Sequence, residues 1–325
     1  MRVAVVYALP FHRWVLADLV ASLVTAGVDV VEFGHTPAGP HDWVSGRGGD
    51  PVRAALVAGR PWDAVLMAEY PYGHLRDAAG APVVTTRHSL ASRANTWEPE
   101  QGDADWIVTW SAWDEAEFAR RGVAPRRGFL RAGCVWADRV RAAPGRTPGA
   151  QVVLWAPTWN AELSARDVVV AGLTELHGAG WSVRVRPHPA TLWREPGVVR
   201  SWDALGFRVD ATDGHPAASL STADVVVCDV SGIALLAACL PDARTPVVQV
   251  SPVVVQSRQA DWTGPEWTMR ADLGPRCVAG VAVVVRSVVS VDPWRESRAS
   301  VARTVAGPPD ATRRAAGMVV EVLGG

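Results

Sequence analysis

Short apolar runs alternate with longer amphipathic stretches along this chain, and one Pro/Gly-rich break interrupts the alternation near its middle. No other feature narrows the fold as much. The runs Val3–Tyr7, Val28–Phe33, Ala64–Met67, Pro82–Thr86, Trp106–Thr109 and Gly128–Ala132 are almost continuously apolar. A strand needs that character when helices cover both faces of its sheet, as in parallel sheets. Between them Phe11–Ala26, Pro51–Gly59 and Ala112–Arg121 read as helices. The last carries its acids early and its arginines late, as the helix dipole favours. Pro71-Tyr72-Gly73 reads as a turn, which leaves room only for a short helix over His74–Ala79.

The break, Arg141 to Gly149, has no hydrophobic period and reads as an interdomain linker. The alternation then restarts with strands at Val152–Ala156, Ser182–Arg186, Phe207–Val209, Asp224–Cys228 and Pro246–Val250. Helices fall near Leu163–His177, Ser231–Leu240 and Gly280–Val289. After Pro308-Pro309, Ala311–Leu323 reads as a closing helix. The expectation is an α/β chain of two Rossmann-like domains facing across a cleft. Residues 1–140 form the first domain, 141–149 the linker, 150–307 the second domain and 308–325 the closing helix.

Composition excludes several functions. The 32 basic and 33 acidic residues nearly cancel, so bulk attraction to nucleic acid is not expected. Every one of the 32 is Arg. Schiff-base, Walker A and lysine general-base chemistries are therefore absent, and anion binding falls to Arg, His and backbone N–H groups. Cys134, Cys228, Cys239 and Cys277 are too far apart for a C-x-x-C pair and read as buried small hydrophobes. The chain opens on a strand-like run instead of a basic, then apolar, leader, and its longest apolar runs are too short to cross a bilayer. A soluble, cytoplasmic protein is expected.

In open α/β sheets ligands gather beyond the carboxyl ends of strands, and four such places carry chemistry. The first, Pro82 to Arg93, runs from a strand into Arg87, His88 and Ser89. His88 could take a proton from a hydroxyl near neutral pH, with Arg87, Ser89 and Arg93 near an acceptor or phosphate. The second, Ala156-Pro157-Thr158-Trp159-Asn160, offers the Thr158 hydroxyl and N–H to a phosphate after a rigid turn. The third, Arg186-Pro187-His188-Pro189, clamps an imidazole between prolines beside a permanent cation. The fourth, Ala223-Asp224 through Asp229-Val230-Ser231-Gly232, ends a buried strand and opens a helix. There Asp229 or Ser231 would cap the helix, or its first N–H groups would meet a phosphate. Each also has a plain structural reading as an ordinary turn or cap. His35 and His41 lack a carboxylate cluster, and Asp103-Ala-Asp105 precedes its strand and reads as a solvated loop, so no metal is expected. Of the 16 Trp residues, Trp106 and Trp110 read as core, while Trp155 and Trp159 lie along or just past a strand.

In this order the motifs resemble those of the CDP-glycerol glycerophosphotransferases of teichoic-acid synthesis, a family with the GT-B architecture. The likeness is strongest over Val152–Val250. His88 stands where that family has an essential histidine, His188 matches its Arg/Lys-x-His-Pro histidine, and Ser231 matches the first serine of its Asp-Tyr-Ser-Ser motif. The chain departs from the pattern at Ser89, where Gly is usual, at Val230 and Gly232, and at Leu235-Leu236, where an acidic residue is usual.

The resemblance implies a transferase that binds a CDP-alcohol chiefly on its second domain. An acceptor hydroxyl attacks the β-phosphate and CMP leaves. His88 is then the base, His188 and Arg186 steady the phosphoryl group, and Thr158, Asp229, Ser231 and Gly232 hold the donor phosphates. No cofactor is implied beyond the nucleotide-activated donor. The acceptor would be a cell-envelope polymer or its lipid-linked precursor met at the inner membrane face, which leaves a peripheral membrane contact open. Two alternatives stand beside it: a GT-B glycosyltransferase using a nucleotide sugar, and a non-catalytic binding protein of the same fold.

Overall fold

The computed structural model describes residues 1–7, 11–34, 51–68, 73–87, 99–144, 149–159, 164–210, 214–229, 231–241, 245–250, 280–290, 292 and 295–324. His35, His41, His88, Ser89, Arg93, Asn160, Val230 and Cys277 lie outside them.

The described residues form two compact units. One takes the chain through Asp138 together with everything from Gly307 onward, and the other takes Arg139–Ala306. In the first, β1 (Arg2–Val6), α1 (His12–Thr25), β2 (Asp29–Phe33), α2 (Pro51–Ala58), β3 (Ala64–Ala68), α3 (Gly73–Ala79), β4 (Val83–Thr86), β5 (Trp106–Thr109), α4 (Ala112–Arg120) and β6 (Gly128–Arg131) follow one another. The six strands pair in parallel in the order β2-β1-β3-β4-β5-β6. β3 and β4 are buried throughout, as their unbroken apolar character requires. α5 (Ala137–Arg141) continues into the segment that read as linker and carries the chain to the second unit.

The second unit runs β7 (Val152–Ala156), α6 (Arg166–Gly178), β8 (Ser182–Val185), α7 (Pro189–Arg194), α8 (Pro196–Ala204), β9 (Arg208–Val209), α9 (Ala217–Ser221), β10 (Val225–Cys228), α10 (Gly232–Ala238), β11 (Val247–Gln249), α11 (Val281–Ser290) and α12 (Arg295–Ala306). Its sheet is again parallel, in the order β11-β10-β7-β8-β9. The core lies between sheet and helices, where Trp155 packs edge-on against Trp202 at 4.9 Å beside Leu173, Val185 and Phe207. α6 and α11 approach closely because Gly172 has no Cβ; one placed there would lie 2.7 Å from the Val281 Cβ.

The last helix, α13 (Ala311–Gly324), belongs to the first unit and packs on α1. Its Thr312 N–H and hydroxyl both reach the Asp138 carboxylate, each at 2.9 Å, and Arg314 donates to the Ala132 carbonyl. Gly307, at φ 69°, makes the entry possible: a Cβ there would fall on the Trp110 carbonyl oxygen.

One device recurs at the amino ends of both sheets. The aspartate just before a strand accepts the first N–H of the neighbouring strand. Asp63 takes Arg2 N–H at 2.6 Å, Asp105 takes Val83 N–H at 2.9 Å, and Asp224 takes Val152 N–H at 2.8 Å. Such charge-assisted bonds are worth about 1.5–3 kcal/mol each and set the register of parallel strands that no hairpin ties together. This corrects the reading of Asp103-Ala-Asp105. Asp103 is exposed and 3.5 Å from Arg126, but Asp105 is a buried bracket, not part of a solvated loop.

Candidate functional site

In the second sheet the chain runs from β7 outward through β8 to β9, then crosses to the other side of β7 to lay down β10 and β11. The strand order therefore reverses between β7 and β10, and a crevice opens at such a switch point beyond the carboxyl ends of the two strands. Cys228 and Ala156 are register partners, so the residues that follow both strands emerge side by side. Those residues are Pro157-Thr158-Trp159 and Asp229 with Ser231-Gly232.

Asp229 bridges the switch point. Its carboxylate accepts the Thr158 N–H at 2.8 Å, with both residues buried. That occupies the very N–H which read as a phosphate donor, and it makes Asp229 a brace across the strand ends. Ser231 caps α10, its hydroxyl accepting from Ile233 N–H at 3.3 Å. The capping and ligand readings of this serine are compatible, since a hydroxyl has two lone pairs and a proton. In α10 itself Leu235 and Leu236 are buried, so the inner face of this helix belongs to the core.

On the other side of β7 the ladder extends past β8, with Arg186 N–H bonded to the Trp155 carbonyl at 2.8 Å. The buried Arg186 guanidinium reaches the Gly214 carbonyl and, at 3.4 Å, the Ser219 hydroxyl. Arg186 ties the loop after β8 to the start of α9. His188 is half-buried and caps α7, its Nδ1 accepting Ala190 N–H at 3.1 Å. A backbone amide only donates, so Nδ1 is unprotonated and the neutral ring carries its proton on Nε2. His188 is thereby set up to donate a hydrogen bond.

The sequence reading missed several partners of this edge. The Trp159 ring lies 6.4 Å from that of His188 and carries the Arg194 guanidinium at 4.7 Å from its centre. Arg166 donates to the Trp159 carbonyl at 3.0 Å and forks onto the Glu195 carboxylate, which locks α6 to the β7 loop. His215 also went unremarked, although the tripeptide His-Pro-Ala at 188–190 recurs at 215–217 and was a signal in plain view.

The first unit treats its strand-end cation differently. Arg87 follows β4, is 2% exposed, pairs with the fully buried Asp114 at 3.0 Å and stacks on Trp110 at 4.0 Å. Asp114 also accepts the Trp110 N–H. An arginine so enclosed holds a strand end in place. Asp114 matches the Arg87 charge inside the protein. Cys134, Cys228 and Cys239 are buried as expected. Among the described residues no group of three or more His, Cys, Asp or Glu could hold a metal, and no helix is long and apolar enough to cross a membrane.

No family model matches the chain, and no curated protein matches it by sequence. Solved structures do. S. aureus MnaA in complex with UDP superposes with a TM-score of 0.68 at 11% identity, covering 99% of this chain and 97% of the other. A variant of the wall teichoic acid polymerase TagF soaked with CDPG gives 0.59 at 8% identity, over 99% and 88%. UDP-GlcNAc 2-epimerase from Neisseria meningitidis bound to UDP-GlcNAc gives 0.57 at 13% identity, over 99% of both chains. With two parallel α/β sheets of six and five strands, the fold is GT-B. At such identities the likeness concerns the fold and leaves the chemistry to the residues.

Proposed function

We propose that the protein is a nucleotide-dependent transferase that moves glycerol phosphate, or a related polyol phosphate, from a CDP-activated donor to a hydroxyl of a cell-envelope polymer or its precursor. One observation carries this reading: Thr158, Asp229 and Ser231 gather at the switch point of the second sheet, with Arg186 and His188 at the next strand end. The site offers hydroxyls, an imidazole donor and arginines. Those are the groups a chain without lysine has available to hold phosphate.

In the reaction, the acceptor oxygen bonds to the β-phosphorus and the bond from that phosphorus to the CMP oxygen breaks. The acceptor proton passes to His88. The Nε2–H of His188 steadies the charge growing on the transferring group, since positioning and electrostatics dominate phosphoryl transfer. Ser231, Gly232 and the Thr158 side chain hold the donor phosphates, and Asp229 keeps the two strand ends together. Donor recognition on this unit is separate from acceptor chemistry, which the proposal assigns to the segment following β4.

A second reading, nucleotide-sugar chemistry, draws on the fold shared with MnaA and with the epimerase bound to UDP-GlcNAc. Incubation with CDP-glycerol and, separately, UDP-GlcNAc, each with a polyprenyl-linked acceptor, distinguishes them by product. Release of CMP supports the proposal. Release of UDP, or an epimerised sugar nucleotide, replaces it with the second reading. Binding without turnover of either donor makes the protein a non-catalytic GT-B module.

A further inference from the structure

Along the carboxyl edge of the second sheet, Ala156, Cys228 and Gln249 stand in register on β7, β10 and β11, so their side chains share one face. Val248 and Val250 lie in the core under α6 and α11. Gln249 between them therefore turns to the opposite face, the one α10 covers. It is the polar member of the row and only 1% exposed. Neither its amide oxygen nor its amide nitrogen finds a hydrogen-bond partner among the described residues.

That sets Gln249 apart from the polar side chains around it. Asp229 is bonded to the Thr158 N–H, Ser231 to the Ile233 N–H, and Arg186 to the Gly214 carbonyl. A buried primary amide with both ends unmatched costs stability that an apolar residue would not. The neighbours Val247, Val248 and Val250 are all apolar and buried. The place of the exception is informative. Gln249 ends β11, and Ser231, the cap of α10, comes just after the end of β10. Since α10 packs on both strands, its first turn lies over this edge. The amide faces the side from which Ser231 and Gly232 emerge.

The two unmatched ends restrict what can satisfy them. Phosphate near neutral pH offers acceptors, which would answer the NH2 group and leave the carbonyl unmet. Two adjacent hydroxyls answer both, one donating to the carbonyl and the other accepting from the nitrogen. We infer that Gln249 is a specificity residue of the donor site and binds a vicinal diol next to the donor phosphates. The inference rests on the donor-site reading above, which gives those phosphates to Ser231 and Gly232. A nucleotide-activated polyol carries such diols on both sides of its phosphates, in the ribose and in the polyol.

Calorimetric titration of the full chain with CMP, 2′-deoxy-CMP and CDP-glycerol, together with thermal melts, tests this. Gln249→Met keeps much of the side-chain volume and removes both polar atoms, so it should melt at or above the wild-type temperature. Its affinity for the diol-bearing ligand should nonetheless fall about ten- to a hundredfold. If the ribose is the diol, wild type prefers CMP to 2′-deoxy-CMP and the variant loses that preference. If the polyol is the diol, both monophosphates bind wild type and variant alike, and only CDP-glycerol weakens. Either result supports the inference. Unchanged binding of all three ligands by the variant overturns it while leaving the donor-site reading intact, and so does an equal loss for CMP and 2′-deoxy-CMP, which places the contact on base or phosphate. A wild-type chain that binds none of the three overturns both.

Discussion

The two units share a parallel sheet and the same aspartate bracket at its amino end, yet they differ in how the polar residues at the carboxyl end are held. In the first unit side chain pairs with side chain. Arg87 is matched to Asp114 over the Trp110 face, and the Tyr7 hydroxyl donates to Glu32 at 2.7 Å. Burial, with the neighbouring carboxylate, pushes the Tyr7 phenol well above its ordinary value, so it stays protonated as a donor. In the second unit side chains also bond the backbone: Asp229 the Thr158 N–H, Arg186 the Gly214 carbonyl, His188 the Ala190 N–H and Ser231 the Ile233 N–H. A charge matched to a buried charge only holds a strand end. A side chain bonded to the backbone shapes a loop, and in a histidine it also decides which ring nitrogen carries the proton.

That contrast can be broken most forcefully in the first unit. Asp114→Ala leaves the Arg87 charge buried without its carboxylate and should cost about 3–5 kcal/mol in urea unfolding. The double change Arg87→Met/Asp114→Leu should recover most of that, which a purely packing role for Asp114 does not predict. The second unit should answer in turnover first. His188→Asn retains a cap acceptor but loses the Nε2–H, and kcat with the productive donor should fall on the order of 10²–10³-fold with little change in melting temperature. Asp229→Ala strands the buried Thr158 N–H and should cost about 1–3 kcal/mol. Asp229→Asn, which still offers an oxygen, should cost less than half as much by the same denaturant measurement.

The smallest effect sharpens the comparison at the surface. The Arg131 hydrogen bond, then Thr109, hold the Glu115 carboxyl below its ordinary value of 4.5 against the opposing effect of burial. A depressed carboxyl contributes in full above its unfolded-state value and loses that contribution as pH falls through the folded-state value. Glu115→Gln should therefore flatten the acid limb of stability below about pH 4.5, by under about 1 kcal/mol. Melts across that range with and without the substitution measure it.

Strand positions were legible because burial on both faces writes a continuous apolar run; Trp106–Thr109 and Val152–Ala156 match their strands end to end. The short helices α7, α8 and α9 were not, since one or two turns show too little periodicity. α12 was missed because it is polar along much of its length and buries an arginine, Arg298, paired with Asp292. Within the site, strand-end chemistry pointed to Thr158, Arg186, His188, Asp229 and Ser231, and the fold sets them at neighbouring strand ends. What residue type alone did not reveal is whether a polar side chain meets a ligand or a nearby backbone group. Arg87 and Arg186 both follow a strand; the first buries against Asp114, four residues after Trp110, and the second bonds the Gly214 carbonyl and the Ser219 hydroxyl. Asp105 likewise looks like one of a pair until the N–H of Val83 turns out to be its partner.

The return of α13 to the first unit has a consequence for how the molecule is made. Thr312 and Arg314 complete contacts with Asp138 and Ala132 across more than 170 positions of sequence. On the ribosome, every strand of the second unit emerges before those residues exist. The second unit can thus finish folding first, while the first stays incomplete along α1 until α13 has emerged to pack there.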